Sequence, residues 1–296
     1  MVTLFIDWNP SVEAFSIGSF VVRWYSLCWC IGLLLAYIIV QRLYRQQKID
    51  NEKFEPLFMY CFLGVLIGAR LGHCLFYEPQ YYLTSLQGFI EMFIPFRIGA
   101  NGWEFTGYEG LASHGGTIGL IIAMVLYWRR TKLKPWLVMD NIAIAVPITA
   151  CFIRLGNLMN SEILGKPSDM PWAFTFHSHE SLVNGQIVPR HPAQLYEAIA
   201  YMLIFIIGMA IYRKWHKNQE QSPTSPIAVG TGFYFGYCLA TIFTFRFFIE
   251  FLKLEQVEFE QSMPLDMGQL LSIPFIIIGI YCMVKAKRRA DGSRSL

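Results

Sequence analysis

A short stretch at the end of one long apolar segment carries side chains suited to binding an anionic group. Its sequence is RLGNLMNSEILG, from Arg154 to Gly165, and it places a guanidinium, two amides and a carboxylate beside a hydrocarbon boundary. Polar groups are costly to insert there and are rarely present without a polar role. Arg154, Asn157 and Asn160 are spaced three apart and share one face if the helix continues, an arrangement that suits phosphate oxygens. A structural role, tying the helix end to the following loop, stays open.

Arg246 and Glu250 form a second candidate group. They are spaced i, i+4 on an apolar segment and can pair with each other. A paired arginine still has donors to offer a ligand, whereas a neutralised structural pair is the simpler alternative. An arginine in hydrocarbon costs about 2.5–3.5 kcal/mol when unpaired and central, so it needs a partner, an interface or an anion. Four arginines lie within or at the margin of apolar segments: Arg23, Arg70, Arg154 and Arg246. Four other basic residues are expected outside these segments: Arg97, Lys166, Arg190 and Lys253.

His114 is the candidate proton acceptor. It begins an apolar segment in the sequence SHGGT, with Ser113 as a candidate helix N-cap. An imidazole with a pKa of about 6.5 can act as a general base close to neutral pH. Gly115 and Gly116 leave backbone amides uncovered at a helix N-terminus, where an anion can bind. The alternative, a structural histidine, stays open.

The amino-acid composition by itself indicates a membrane protein. The 296 residues are 54% hydrophobic and only 15% charged, which is outside the range of ordinary soluble domains. A bilayer-spanning helix takes about 17–25 residues, and seven apolar stretches have that length, the fourth interrupted by Asp140 and Asn141. We therefore predict an all-α integral membrane protein with seven transmembrane helices, over residues 17–40, 57–76, 111–128, 137–153, 193–212, 227–252 and 267–284.

The distribution of basic residues predicts the orientation of these helices. Sixteen of the 24 Lys and Arg residues lie in alternate connections or near the C-terminus, as is typical of cytoplasmic segments. We therefore expect the N-terminus outside and the C-terminus in the cytoplasm. This orientation places nearly all of the costly polar residues of the spans in the outer half of the membrane, whereas a proton relay or channel would distribute them through its full depth. The net charge of +3 reflects this bias, and no nucleic-acid partner is expected.

Two connecting regions are long enough to form structure outside the bilayer. Residues 78–110 contain GFIEMFIPFRIG, which is too short to span and is expected to lie in the outer interface. Residues 154–192 form a polar insert with Gly and Pro, which we interpret as a small extracytoplasmic head between helices four and five. Residues 1–296 as a whole are interpreted as a single transmembrane domain.

The sequence predicts neither a metal site nor a cofactor. The seven Cys residues lie in or beside apolar segments without a CxxC pair, so they are interpreted as small hydrophobic residues. His177 and His179 have HxH spacing, but no third or fourth ligand can be named, so they are interpreted as solvated loop residues. No internal repeat is evident, which argues against the repeated halves common in transporters.

Taken together, these motifs resemble those of the bacterial prolipoprotein diacylglyceryl transferase family. RLGNLMNSEILG is similar to the family's signature stretch. Three further blocks occur in the family's order: HGG at 114–116, PRHPAQLYEA at 189–198 and RFFIEF at 246–251. RWYSL at 23–27 resembles the family's first-helix motif. The resemblance covers most of the chain, and the blocks are specific in combination where each alone is not.

The resemblance implies a reaction as well as seven transmembrane helices in the bacterial cytoplasmic (inner) membrane. In that reaction the diacylglyceryl group of phosphatidylglycerol is transferred to the lipobox cysteine thiol of a preprolipoprotein, as the first step of lipoprotein maturation. The products are a thioether-linked lipid and glycerol 1-phosphate. The implied partners are phosphatidylglycerol, membrane lipid and the preprolipoprotein signal peptide, no metal or cofactor is implied, and a monomer is expected.

The residue roles that the resemblance implies follow this chemistry. A thiol must lose its proton, attack the glyceryl carbon bonded to phosphate oxygen and displace a phosphate monoester. His114 is the candidate base, and Arg154 and Arg246 are the candidates to stabilise charge on the leaving phosphate. The other residues expected to bind substrate or support the site are Tyr25, Gly115, Gly116, Asn157, Asn160, Glu162 and Glu250.

Three positions depart from the family's pattern. Ile153 stands where Gly is usual and Leu158 where Phe is common, and both are mild packing changes. Family members often carry a Tyr one helical turn before the arginine of segment six, where this chain has Ile242. If that Tyr takes part in chemistry elsewhere in the family, this chain must use the histidine alone or borrow Tyr25 or Tyr234.

Two other functions stay open. A phospholipid-binding membrane transporter would also place arginines in the membrane, and it predicts polar residues in both leaflets. The enzyme instead predicts loss of turnover without loss of fold when His114 is changed. A different membrane transferase that uses the same lipid donor is not distinguished by residue spacing.

Overall fold

The computed structural model is largely helical, and its chain contacts divide it into two compact units. It describes residues 5–18, 20–94, 96–99, 102–105, 112–178, 181–183, 186–218, 225–254 and 264–292. The first unit comprises residues 1–43 and 135–296, and the second comprises residues 44–134.

The helices in the described part are α1 (Trp24–Gln46), α2 (Asn51–Phe76), α3 (Pro79–Tyr82), α4 (Leu86–Glu91), α5 (Ser113–Thr131), α6 (Pro135–Met159), α7 (Ala193–Lys217), α8 (Phe233–Ile249) and α9 (Met267–Gly292). The strands there are β1 (Ile6–Trp8), β2 (Glu13–Ile17), β3 (Phe20–Arg23), β4 (Phe96–Gly99), β5 (Gly102–Phe105), β6 (Phe174–Phe176), β7 (Leu182–Val183) and β8 (Gln186–Ile187).

Each of the seven apolar segments predicted from the sequence corresponds to a long helix. Six of these helices are long and apolar enough to cross a membrane, and they are α1, α2, α6, α7, α8 with its C-terminal extension, and α9. The prediction of a mostly helical membrane protein is therefore confirmed. The remaining helix, α5, has 19 residues and is not one of the six, so a seventh span stays a prediction.

The strands are a feature that the sequence analysis does not predict. Within the described ranges they form four two-stranded sheets, of which β2–β3, β4–β5 and β7–β8 are antiparallel hairpins. The fourth sheet pairs β1 with β6 in parallel, and Trp8 Nε1 donates to Leu158 O at 3.0 Å. A buried cluster of Leu158, Leu164, Phe174 and Phe176 packs beneath this sheet. The N-terminal strand is thereby attached to residues of the head insert.

Asp140, which interrupts the fourth apolar segment, is a buried cap for another helix. Its carboxylate accepts hydrogen bonds from the backbone amides of Gly230, Gly232 and Phe235 at 2.8, 2.9 and 2.9 Å. The two glycines have φ values of 96° and 82°, so the chain turns there and α8 begins later than the sequence predicts. A carboxylate at this position also suits the positive end of the helix dipole. The polar interruption of α6 therefore sets the start of α8.

In the second unit, α2 and α5 pack through facing glycines. Gly64 and Gly68 on α2 oppose Gly115 and Gly119 on α5 so closely that no side chain fits between them. A Cβ atom on Gly119 would lie 2.0 Å from Gly64 O, and one on Gly115 would lie 2.3 Å from Gly68 O. Small residues spaced four apart allow two helix backbones to approach in this way.

We expect Gly119→Ala to lower the thermal stability of the detergent-solubilised protein. The added methyl group meets a backbone carbonyl, which moves only if the two helices separate, and such overpacking costs about 1–3 kcal/mol. Gly116→Ala is the matched control on the same helix, because its Cβ would lie 3.5 Å from Ala69 Cβ, an ordinary contact. Scanning fluorimetry should show a lower unfolding midpoint for Gly119→Ala alone. Equal midpoints for the two variants would contradict the close packing.

Arg70, one of the arginines expected within an apolar segment, has a structural role in the second unit. Its side chain is buried, and its guanidinium donates to Glu91 O at 2.9 Å and to Met92 O at 3.2 Å. These carbonyl groups end α4, where a cation also suits the helix dipole. The guanidinium lies 5.1 Å from the centre of the Tyr82 ring. Arg70 therefore attaches the segment predicted to be interfacial to the end of α2.

Candidate active site

The signature stretch stays helical through its first polar residues, because α6 ends only at Met159. Arg154 Nη1 donates to Asn157 Oδ1 at 3.2 Å, so the predicted shared face is present for these two residues. Asn157 Nδ2 in turn donates to Glu162 Oε1 at 2.8 Å, and Asn160 Nδ2 lies 3.4 Å from the same oxygen. The structure therefore brings together the guanidinium, the two amides and the carboxylate that the sequence indicates.

Five charged side chains form a continuous chain of ion pairs, which we call the ion-pair chain. Arg154 Nε lies 3.1 Å from Glu197 Oε2, and Lys253 Nζ lies 3.2 Å from the same oxygen. Lys253 Nζ also lies 3.1 Å from Glu250 Oε1, and Arg246 Nε lies 3.5 Å from that oxygen. The predicted pair of Arg246 with Glu250 is therefore present as one end of a longer arrangement. Through it, Arg154 on α6 is connected to Arg246 on α8.

The middle of the ion-pair chain is buried, and one of its ends is partly exposed. The side chains of Glu197 and Lys253 are 0% and 3% exposed, whereas that of Arg246 is 38% exposed. Buried charges are tolerated only when they are well paired. Three cations share two carboxylates, so the ion-pair chain carries one excess positive charge. The ion pair of Arg246 with Glu250 uses Nε, and the Arg246 side chain is partly accessible.

Tyr201 on α7 completes the surroundings of Glu197. Its hydroxyl donates to Glu197 Oε1 at 2.9 Å, while Oε2 lies at ion-pair distance from the two cations. The Tyr201 side chain is buried in a cluster with Cys151 and Ile204, against which Ile242 packs. The carboxylate is thus held by a phenol on one oxygen and by cations on the other.

Glu250 has its own close neighbour on α9. A Cβ atom on Gly268 would lie 2.6 Å from Glu250 Oε1, so the carboxylate occupies the space that a side chain at this position would need. Gly268 follows the first residue of α9, and α9 packs along α8. The helix after the site therefore helps to set the position of the carboxylate that Arg246 and Lys253 share.

Backbone pairing joins the head insert to the ends of α7 and α8. Residues 164–166 pair with residues 252–254 through two hydrogen bonds of 2.7 and 3.0 Å. On the other side, Gly165 N donates to His191 O at 3.1 Å. We call this three-segment arrangement the backbone junction. The junction holds the backbone in place on both sides of Lys253. The ammonium group of Lys253 reaches into the ion-pair chain.

Arg190 and His191 lie at the backbone junction. The Arg190 side chain is buried, and its guanidinium donates to Ser181 O at 3.0 Å and to Gly165 O at 3.3 Å. Arg190 therefore stabilises backbone carbonyls of the head. His191 Nδ1 lies 3.3 Å from the Tyr196 hydroxyl. Burial lowers the pKa of His191 below its usual value.

The similarity to known proteins extends over nearly the whole chain. Residues 12–285 match the family model described as prolipoprotein diacylglyceryl transferase. The chain belongs to this family. A relative from Bacteroides fragilis, named phosphatidylglycerol-prolipoprotein diacylglyceryl transferase, is 57% identical over 281 residues, which cover 95% of each chain. Relatives of the same name from Porphyromonas gingivalis and Tolumonas auensis are 40% and 38% identical, and they cover 95% and 96% of this chain and 95% and 98% of their own. The resemblance predicted from the motifs is confirmed.

Tyr234 and Tyr25 are the two candidates to replace the tyrosine that family members often carry at the position of Ile242. Tyr234 lies at the opposite end of α8 from Arg246, in a buried cluster with Leu43 and Tyr212, so it does not replace that tyrosine. Tyr25 packs against α6, since a Cβ atom on Gly156 would lie 3.0 Å from Tyr25 Cδ2. Tyr25 is therefore next to the turn that carries Arg154 and Asn157, and its supporting role stays a prediction.

His114, Gly115 and Gly116 lie in the second compact unit, residues 44–134. His114 lies in the first turn of α5 and is exposed, and its role as a base stays a prediction. Gly116 N donates to Ala112 O at 3.0 Å, so this amide is engaged in the helix and is not open to an anion. Gly115 packs on the backbone of α2, and anion binding by its amide stays a prediction.

His177, the first histidine of the HxH pair, contacts an aspartate near the N-terminus. His177 Nε2 contacts Asp7 Oδ1 at 2.5 Å, whereas His179 lies outside the described residues. In the part of the chain that the structure describes, no group of three or more His, Cys, Asp or Glu residues is placed to hold a metal ion.

Three members of the site are not among the residues that the sequence analysis assigns to it. These are Glu197, Tyr201 and Lys253, which lie in or beside the ion-pair chain. Their spacing carries a weak signal, because Tyr201 follows Glu197 by four residues and Lys253 follows Glu250 by three, both typical of contacts along a helix. The contact of Glu197 with Arg154 joins α7 to α6 and has no signal in the local sequence.

Proposed function

We propose that this chain transfers the diacylglyceryl group from phosphatidylglycerol to the lipobox cysteine thiol of preprolipoproteins, the first step of bacterial lipoprotein maturation. The observation that carries the proposal is the ion-pair chain, which ends in a partly exposed arginine and has one excess positive charge, in a member of this family. A phosphodiester carries one negative charge and two free oxygens, which complement that excess charge and a guanidinium fork.

The proposed reaction is a substitution at carbon. The thiol gives its proton to a base, and the thiolate attacks the glyceryl carbon that is bonded to phosphate oxygen. The carbon–sulfur bond forms as the carbon–oxygen bond breaks, and the electron pair of the latter leaves with glycerol 1-phosphate. Arg154 and Arg246 stabilise the second negative charge that develops on the phosphate. His114 is the proposed base, on the basis of its motif, and neither a metal nor a cofactor is needed for this step.

The amides beside Arg154 are the proposed head-group site. Asn157 and Asn160 both contact the Glu162 carboxylate, and hydroxyl groups of the terminal glycerol can bind to the same set of donors and acceptors. Asn160 Oδ1 is a buried acceptor without a hydrogen-bond partner in the described part of the chain, which supports this role. Tyr25 and Glu250 support the site through their contacts with Gly156 and with Arg246.

The six candidate spans and the bacterial relatives support a multi-pass protein of the bacterial inner membrane. The finer arrangement that we propose has α5 as a seventh span, the N-terminus outside and the C-terminus in the cytoplasm. Residues 154–192 then form an extracytoplasmic head, and residues 78–110 lie in the outer interface of a single transmembrane domain. The proposed partners are phosphatidylglycerol and the preprolipoprotein signal peptide. The protein that binds them is proposed to be a monomer.

The proposal is tested by incubating detergent-solubilised protein with phosphatidylglycerol and a synthetic lipobox peptide. We expect mass spectrometry to find one diacylglyceryl group on the peptide cysteine and one glycerol 1-phosphate released per adduct. A peptide in which serine replaces the cysteine should remain unmodified, because an alcohol is far less acidic than a thiol. Phosphatidylethanolamine, which lacks the glycerol hydroxyls and the net negative charge, should be a poor donor.

Two results would count against this assignment. If folded protein bound phosphatidylglycerol but formed no adduct, the transporter or another acceptor would become the better explanation. If phosphatidylethanolamine served as donor equally well, the head-group role of Asn157, Asn160 and Glu162 would be wrong even though the transferase activity stood.

A further inference from the structure

Lys253 lies at the centre of the ion-pair chain and has no role in the proposed chemistry. Its side chain is 3% exposed, although its position after an apolar segment predicts a residue outside the membrane. Its ammonium group lies between Glu197 Oε2 and Glu250 Oε1, at 3.2 and 3.1 Å. Each of these carboxylates also contacts one arginine of the site. Among the described residues, Lys253 is the one cation that contacts both carboxylates.

The backbone leaves Lys253 little freedom to move. Its amide donates to Glu250 O at 3.1 Å, and the residue forms a bridge with Gly165 in the backbone junction. The residues on either side of it are bonded to residues 164 and 166. A side chain that starts from a fixed backbone and ends on two fixed carboxylates is itself fixed along its length.

We propose that Lys253 is a positioning residue that sets the distance between Arg154 and Arg246 through the carboxylates of Glu197 and Glu250. An ammonium group is a compact charge with three donors, so it can bind two carboxylates from different helices at once. Without it, two separate arginine–carboxylate pairs remain, and no ion pair among the described residues joins them. Both guanidinium groups must reach the same phosphate, and a misplacement of about 1 Å can slow an enzyme about 100-fold. This inference rests on the proposed function.

The test compares Lys253→Met with Lys166→Met in the full-length protein. Lys166 lies in the same backbone junction and is exposed, so its replacement removes one positive charge without touching the ion-pair chain. For Lys253→Met we expect kcat to fall about 10–100-fold while KM for phosphatidylglycerol stays within about threefold, because both arginines still bind the phosphate in the ground state. Lys166→Met should have the kinetics of the wild type. Lys253→Arg restores a cation and should recover at least about a threefold higher kcat than Lys253→Met.

Each outcome of this comparison is informative. A folded Lys253→Met protein with the kcat of the wild type would overturn the proposal and leave the transferase function in place. Wild-type protein without any transfer activity would overturn the proposed function and this inference together. If Lys253→Met does not fold, Lys253→Gln provides an uncharged side chain that is one atom shorter than lysine and still polar. The same loss of kcat is expected for that variant, and wild-type turnover in it would again overturn the proposal.

Discussion

Replacing Arg154 by alanine is expected to slow diacylglyceryl transfer by about 10²–10³-fold, the usual effect of removing a donor that stabilises charge in a transition state. Arg154 Nε pairs with Glu197, Nη1 donates to Asn157, and Nη2 has no hydrogen-bond partner among the described residues. The alanine variant therefore loses the guanidinium that we propose binds the phosphate. It also leaves the Glu197 carboxylate, which is 0% exposed, with Lys253 as its remaining cation. Initial rates of adduct formation on the lipobox peptide measure the effect.

Two further variants test what the effect of Arg154 depends on. One distinguishes its charge from its planar shape, and the other controls for the loss of one positive charge elsewhere in the protein. Arg154→Lys keeps the charge but lacks the planar fork, so we expect a rate between those of the alanine variant and the wild type. Arg213→Ala removes the same charge from an exposed position at the far end of α7 and should transfer at the wild-type rate. A folded Arg154→Ala protein within about threefold of the wild type would show that another group stabilises the leaving phosphate.

Hydropathy and charge predict the long helices well, because each span must bury its own backbone hydrogen bonds in a continuous apolar run. The predicted start of the sixth segment is wrong for a specific reason. An apolar run continues back to Ile227, but Asp140 binds the amides of Gly230 and Gly232 and delays the helix to Phe233. A contact between residues 90 positions apart decides this boundary, and hydropathy does not detect it.

The candidate site is predicted where its contacts are local in sequence. Arg154 with Asn157, and Arg246 with Glu250, follow helical spacing, and both contacts are present. The residues that join these two pairs are missed. Glu197 comes from α7, and Lys253 follows α8 and enters the site only because the backbone junction holds it there.

The short strands are likewise missed, because their pairing is not local in sequence. β1 and β6 are three residues each and pair across more than 160 positions, with Ile6 opposite Phe174. Strands of this length contain too little alternation for a sequence signal. Their role is nevertheless concrete, because Trp8 of β1 and Phe176 of β6 pack with Leu158 and Leu164 of the signature stretch in one buried cluster.

Gly165→Ala is expected to abolish most of the transfer activity by disrupting the backbone junction. A Cβ atom at this position would lie 2.4 Å from His191 O and 2.7 Å from His191 Cβ. The carbonyl group cannot turn away, because it accepts the hydrogen bond of Gly165 N at 3.1 Å. Residues 164–166 must then move, and residues 252–254 move with them because the two segments are paired. A displacement of about 1 Å in Lys253 is enough to lower kcat about 100-fold.

Hydrogen exchange distinguishes this mechanism from a general loss of stability. In the wild type, the amides of Gly165, Lys166 and Leu254 donate to backbone carbonyls of the junction, so they should be protected. We expect Gly165→Ala to lose protection at these amides while the amides in the middle of α6 and α7 keep theirs. Lys166→Ala, one residue away with an exposed side chain, should keep both protection and turnover. Unchanged exchange and turnover in Gly165→Ala would mean that the junction accommodates a methyl group, and the rigid link between the head and Lys253 would then be wrong.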